Sequence, residues 1–137
     1  MPRTARIQIP TDIDNVTLSV DGREVRLTNL RKLFWPDLEI TKGALIQYYV
    51  DMAAVLLPHI RDRAMVMKRY PHGAAGPFFF MKRAPTPRPR WIRTCAIDHG
   101  SRSAGTPAPR SSENIIDFPV IDDVPSLMWV INLGCID

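Results

Sequence analysis

ITKGALIQYYVDMAAVLLPHIRDRAMVMKRY, residues 40–70, holds the change of period that decides the fold class. In its first half the apolar residues Leu45, Tyr48, Tyr49, Met52, Val55 and Leu56 recur three and four apart, the stripe of a helix that faces a core. Thr41 stands where a hydroxyl can accept from the first turn of that helix, and Pro58, which has no N–H to give, marks its end. In AMVMKRY (64–70) apolar and polar residues alternate instead, as they do along a strand. A chain that passes from one period to the other within a few residues predicts a domain of mixed helix and sheet, of the α+β class.

Toward the N-terminus, VTLSV (Val16–Val20) and REVRL (Arg23–Leu27) alternate around Asp21-Gly22, a pair suited to the positive φ of a two-residue hairpin turn. Residues 1–15 show no periodicity and predict a flexible lead-in to a domain spanning 16–137. Thr28 or Asn29 is placed to cap a short helix through Phe34, which Pro36 ends. Toward the C-terminus, FFFMK (78–82) and WIRTCAI (91–97) predict two more strands. Between them APTPRPR (84–90) carries three alternate prolines and should be extended but unfit for central pairing. GSRSAGTPAPRSS (100–112) has the composition of a flexible loop. IIDFPVI (115–121) predicts a buried strand, after which Asp123 can cap a helix bearing Leu127, Met128, Val130 and Ile131, with Gly134 placed to stop it. The expected order is an N-terminal hairpin, two helices, an antiparallel-rich sheet and a C-terminal helix. Cys135, Ile136 and Asp137 then resemble the opening of another strand, so the domain reads as incomplete.

A chain of 137 residues, 45% hydrophobic and 23% charged, has one domain's worth of core and excludes disorder throughout or a fibrous repeat. Cys95 and Cys135 lie far apart with no close Cys or His, which argues against a zinc ribbon or a disulfide scaffold and fits a reducing cytoplasm. The N-terminal MPRTARIQIP has no apolar core of a signal peptide, and the helical apolar run stops at Pro58, too short for a bilayer. A soluble, cytoplasmic protein with no membrane partner is expected. The net charge of +4 is unevenly spread: residues 1–57 balance, residues 58–110 hold eleven Lys/Arg against two Asp/Glu, and residues 111–137 hold five acids and no base. The basic middle segment favours a polyanion as partner, nucleic acid first, although a solvated basic loop would have the same composition.

Lys42 opens the long helix, where unpaired backbone N–H groups and the dipole favour an anion, and Asn29 and Lys32 sit on the short helix before it. Together they can seat a phosphate; as isolated lysines, Lys32 and Lys42 would equally serve as solubilising charges. Phe78, Phe79 and Phe80 point alternately to opposite faces of a strand, so either one is exposed for stacking on a base or both faces are covered. Lys68 and Arg69 stand at a strand end before a Pro-Gly turn, a place suited to meeting a phosphate backbone and equally to solubility. His59, His72 and His99 lack metal-ligand spacing, and Trp35, Trp91 and Trp129 read as packing anchors. Asp12-Ile13-Asp14 has the spacing of a two-metal carboxylate pair but precedes the first credible strand, and one of Asp122 and Asp123 is explained by capping. No catalytic and no metal residues are assigned.

The strings TNLRKLFWPDLEITKGALIQYY, MKRYPHG, FFFMKRAP, WIRT and IDDVPSLMWVINLG, in this order and spacing, resemble the polymerase domain of bacterial DNA ligase D. That family belongs to the archaeo-eukaryotic primase superfamily, and its members fill and extend broken DNA ends in non-homologous end joining with the Ku protein. The resemblance implies an N-terminal half of a primase-polymerase domain. It places recognition of the 5′-phosphate at a break or gap on Asn29, Lys32 and Lys42, base stacking on Phe80, and further DNA or nucleotide contact on Lys68, Arg69 and Lys82. The family's metal-binding aspartates, which hold Mn²⁺ or Mg²⁺, fall beyond Asp137. The resemblance therefore implies a DNA-end-binding part, nucleoid-associated, that is inactive alone and needs a second polypeptide for catalysis. A stand-alone DNA-end-binding module and a decayed remnant are the alternatives.

Overall fold

A computed structural model describes residues 6–98 and 115–136. The loop expected over 100–112, together with His99 and Asp137, lies outside the described residues. The elements in chain order are β1 (Val16–Val20), β2 (Arg23–Leu27), β3 (Leu33–Trp35), a 3-10 turn (Pro36–Leu38), β4 (Ile40–Thr41), α1 (Lys42–Asp51), α2 (Ala53–Ile60), β5 (Met67–Arg69), β6 (Phe79–Met81), β7 (Arg93–Asp98), β8 (Ile115–Val120) and α3 (Val124–Asn132). The α+β class stands.

The hairpin forms as its sequence predicts. Asp21 and Gly22 take φ of 51° and 77°, and the register runs from Val16 opposite Leu27 to Val20 opposite Arg23. Period two puts Val20, Val25 and Leu27 on the buried face, against α3. The C-terminal helix is equally faithful to its signals. The Asp123 carboxylate accepts from the Ser126 N–H at 2.9 Å while the Ser126 hydroxyl faces the Asp123 N–H, a closed capping box, and Gly134 at φ 88° turns the chain away. Of α3, every residue from Pro125 to Ile131 is buried, so this helix is the axis of the core between α1 and β2.

Four expectations are corrected. The short helix from Thr28 to Phe34 does not form. Asn29 takes φ 55°, the Lys32 N–H closes a turn onto the Asn29 carbonyl at 3.1 Å, and the chain continues as β3, antiparallel to β4. Here tertiary pairing claims the backbone: the Leu30 N–H donates to Asp14, and the Leu30 and Lys32 carbonyls accept from Gly43 and Lys42, all at 2.8 Å. The single long helix is two, α1 and α2, divided at Met52 (φ −96°, ψ 3°), and Pro58 lies inside α2 instead of ending it. The antiparallel strands do not make one sheet but four two-stranded ribbons, β1-β2, β3-β4, β5-β6 and β7-β8. Isolated bridges Ala64 to Val120 and Arg69 to Cys135 tie the later ribbons to the rest. Strand β8, expected to be buried throughout, is covered only from Phe118 onward.

Residues 6–15 precede the hairpin yet make specific contacts. Ile9 is in the core, its N–H donates to the Gln47 side chain at 2.7 Å, and the Gln47 amide donates back to the Ile7 carbonyl at 2.9 Å. At the other end the Ile136 N–H reaches the Lys68 carbonyl at 3.3 Å, so the segment after Gly134 does run beside β5, as a strand opening should. Among the described residues no helix is long and apolar enough to cross a membrane.

Candidate nucleic-acid interface

The turn at 29–32 and the start of α1 are stitched together by backbone, and this fixes where their side chains meet. Gly43 is the close-approach point: a Cβ there would stand 3.1 Å from the Leu30 carbonyl oxygen. With the turn held so near, Asn29, Lys32 and Lys42 line one pocket of about 240 Å³, closed on the far side by Arg69, Tyr70, Pro71 and the end of α3 at Asn132, Leu133 and Gly134. Asn132 holds the rim in shape, accepting from the Thr28 N–H at 2.9 Å and donating to the Arg26 carbonyl at 3.4 Å.

Three cations face this pocket, and among the described residues no carboxylate lines it. Two of the cations are anchored. The Lys32 ammonium donates to the Pro71 carbonyl, and the Arg69 guanidinium donates through Nε to the Leu133 carbonyl at 2.9 Å. Lys42 is different: the residue is only 5% exposed and no hydrogen bond or ion pair among the described residues ties down its ammonium, yet no buried side-chain nitrogen is left without a partner, so the ammonium itself opens into the pocket. Burial first, and then the like charges of Lys32 and Arg69, push its pKa down to about 8. A concentration of positive charge with no internal counter-ion is stabilised by an anion from outside, most by one with two charges.

The expected contribution of backbone N–H groups at the start of α1 is not available. The N–H of Lys42 goes to Lys32, that of Gly43 to Leu30, and that of Ala44 to the Thr41 hydroxyl at 3.1 Å. The anion seat is built from side chains, and Lys32 stands on a turn and not on a helix.

The ribbon β5-β6 presents the second group of residues. Lys68 pairs with Phe80 and Arg69 with Phe79 in register, so the two basic residues face opposite sides. On one side the Lys68 ammonium lies 4.4 Å from the Phe78 ring centre, 5.6 Å from Tyr70 and 5.9 Å from Phe80. On the other, Arg69 lies 5.4 Å from the Phe79 ring and donates to the Met81 sulfur. Phe78, Phe79 and Phe80 are all exposed, Phe80 most at 64%, so neither face of the ribbon is sealed in the core. Lys82 is exposed just past β6.

Of the seven residues named from the sequence, the fold brings Asn29, Lys32, Lys42 and Arg69 to one pocket and sets Lys68 with Phe80 on a separate aromatic face, while Lys82 does not line the pocket. Sequence reasoning grouped Arg69 with Lys68; strand alternation was the signal that separates them. It also missed Asn132, whose role depends on a contact 104 residues away. Among the described residues no three His, Cys, Asp or Glu side chains converge, so the divalent ion implied by the family finds no ligand set among them.

Comparison with known proteins bears on the family and the fold. The family described as LigD, primase-polymerase domain, matches residues 41–137. The chain is similar to the multifunctional non-homologous end joining protein LigD of Mycolicibacterium smegmatis, 35% identical over 106 residues, covering 77% of this chain and 12% of that protein. It is 32% identical over 112 residues to LigD of Mycobacterium tuberculosis, covering 82% of this chain and 13% of that protein. The fold matches the polymerase domain of Mycobacterium tuberculosis ligase D, solved in complex with DNA, with a TM-score of 0.65 and 28% identity over 80% of this chain and 34% of that one. The match thus spans about an eighth of these LigD proteins and about a third of the solved chain. On the family match and these identities together, the chain belongs to the LigD primase-polymerase domain family.

Proposed function

We propose that this chain is the DNA-end-binding part of a non-homologous end-joining repair polymerase, and that the pocket of Asn29, Lys32, Lys42 and Arg69 holds the 5′-phosphate at a break or gap. The observation that carries the reading is Lys42, a residue sunk into the fold whose ammonium opens into the pocket beside two other cations, with no carboxylate lining the pocket among the described residues. A terminal phosphate monoester carries close to two charges near neutral pH, whereas an internal phosphodiester carries one, so such a pocket prefers an end to continuous strand. Phe80, with Phe78 beside it and Lys68 behind, offers a stacking platform for an exposed base at the same end. The DNA bound by the solved relative supports the partner class. Lys82 adds a contact to the DNA backbone.

In this reading nucleotide transfer requires Mn²⁺ or Mg²⁺ on aspartates that these described residues do not supply, and the Ku protein and a polypeptide bearing those aspartates are the protein partners. Primer extension by the 137-residue chain with Mn²⁺ should give no product, and incorporation would refute that part.

The binding test compares a recessed duplex with and without its 5′-phosphate by fluorescence anisotropy at fixed salt. The phosphorylated end should bind about tenfold or more tightly, the scale of one charge-assisted contact set, and Lys42→Ala should erase the difference. Equal affinity for both ends in the unaltered protein would overturn the reading.

A further inference from the structure

We propose that Arg31 forms a second phosphate site, which takes the first internal phosphodiester of the strand whose 5′-phosphate occupies the Lys42 pocket. The inference rests on the 5′-phosphate reading above and extends it by one nucleotide.

A broad, open pocket of about 510 Å³ lies outside the first and is lined by Asp14, Asn29, Arg31 and Lys32. Asn29 and Lys32 also line the inner pocket, so the two are separated by one shared wall. The turn that builds this wall is pinned on every side. Leu30 is 1% exposed and anchors the turn in the core, its N–H bound to Asp14 and its carbonyl to Gly43, while the Asn29 N–H donates to the Asn15 side chain at 3.3 Å. With Leu30 turned inward, the next residue is left on the outer side of the turn, and Arg31 is exposed there. Among the described residues Arg31 makes no ion pair or side-chain hydrogen bond, although Asp14 lines the same pocket.

Such a guanidinium is held next to the inner site by a rigid turn, with its donors uncommitted. A planar fork of N–H groups matches two oxygens of a phosphodiester better than an ammonium does. Successive phosphates along a nucleic-acid strand are one nucleotide apart, and the two pockets share a wall that is only one short turn thick. A strand whose terminal phosphate sits at Lys42 therefore leaves past Asn29 and Lys32 and meets Arg31 next. Asp14 also lines this pocket, and its carboxylate repels the strand, so the phosphodiester is drawn to the Arg31 guanidinium and away from Asp14.

The test places a neutral methylphosphonate at the first internal linkage of a 5′-phosphorylated recessed strand, with the same change at the fourth linkage as control. Binding is measured for the unaltered chain and for Arg31→Gln. Neutralising the first linkage should weaken the unaltered chain about three- to fivefold, the scale of one phosphate contact at moderate salt. It should leave Arg31→Gln unaffected, and the fourth linkage should not discriminate between the two proteins. If the first linkage costs both proteins the same while the 5′-phosphate still matters, the Arg31 site is refuted and the 5′-phosphate pocket survives. If the 5′-phosphate itself makes no difference, both fall together. Arg31 lies on the surface, and coincident thermal melts of the two proteins exclude misfolding as the cause.

Discussion

The N–H of Lys42 donates to the carbonyl of Lys32 across 2.8 Å, so the two lysines are joined through backbone before either side chain meets a ligand. Their ammonium groups repel, and the fold holds them on one pocket nevertheless. The geometry is imposed through the backbone at Leu30 and Gly43 and by the hydrogen bond of the Lys32 ammonium to the Pro71 carbonyl, and not by attraction between the lysines and any carboxylate.

Such a pocket should cost stability when empty. Lys42→Met keeps the length of the side chain and removes the charge, and it should raise the melting temperature at pH 7 while abolishing the preference for a 5′-phosphate. The sign follows from linkage. The Lys42 pKa is about 8 when folded and 10.5 when unfolded, so between these values the unfolded chain holds more protons. The unaltered protein should therefore gain stability as pH rises from 8 to 10.5, by at most about 3 kcal/mol. Denaturant melts across this range check the gain, which Lys42→Met should lack.

The aromatic face can be tested without disturbing the fold. Phe80 is mostly in solvent, so Phe80→Ala should leave the melting temperature within about a degree while weakening binding to an end with an unpaired base by roughly 1–3 kcal/mol. A fully paired blunt end, measured in parallel by anisotropy, should show a smaller loss.

The two thiols should react very differently. Cys95 is exposed, whereas Cys135 is buried and its thiol is pushed up to about 12, burial outweighing the opposing charge of Arg69. Iodoacetamide at pH 8 should give a single adduct at Cys95 by mass spectrometry, with Cys135 modified only after denaturant is added.

Much of this fold is written locally. The Asp21-Gly22 turn, the Asp123 cap with Ser126, the Thr41 cap of α1 and the Gly134 stop each rest on residues within four positions of one another, and each forms as its sequence implies. What the sequence concealed depends on distant partners. The segment 28–34 has the residues of a short helix, but Asp14 and the start of α1 take its backbone groups. The stripe of Leu45, Tyr48, Tyr49, Met52, Val55 and Leu56 gives no sign of the break at Met52, and it does not all face the core: Tyr48, Met52 and Val55 are exposed, while Ile46, Ala53 and Leu57 are buried. In the site, Lys32 and Lys42 were legible from chemistry and spacing. The arrival of Arg69 was legible only from the alternation that turns it away from Lys68, and Asn132 only from the folded chain.

The most direct measurement is the titration of the Lys42 ammonium by NMR, with side-chain ¹⁵N label, in the free protein and with recessed DNA that carries or lacks a 5′-phosphate. The free group should titrate near 8, and phosphorylated DNA should raise that value toward the ordinary lysine range, because the anion offsets the burial and the two neighbouring cations. Unphosphorylated DNA should raise it far less. An unchanged Lys42 titration, or the same rise with both DNAs, would contradict the claim that this lysine holds the end of the strand.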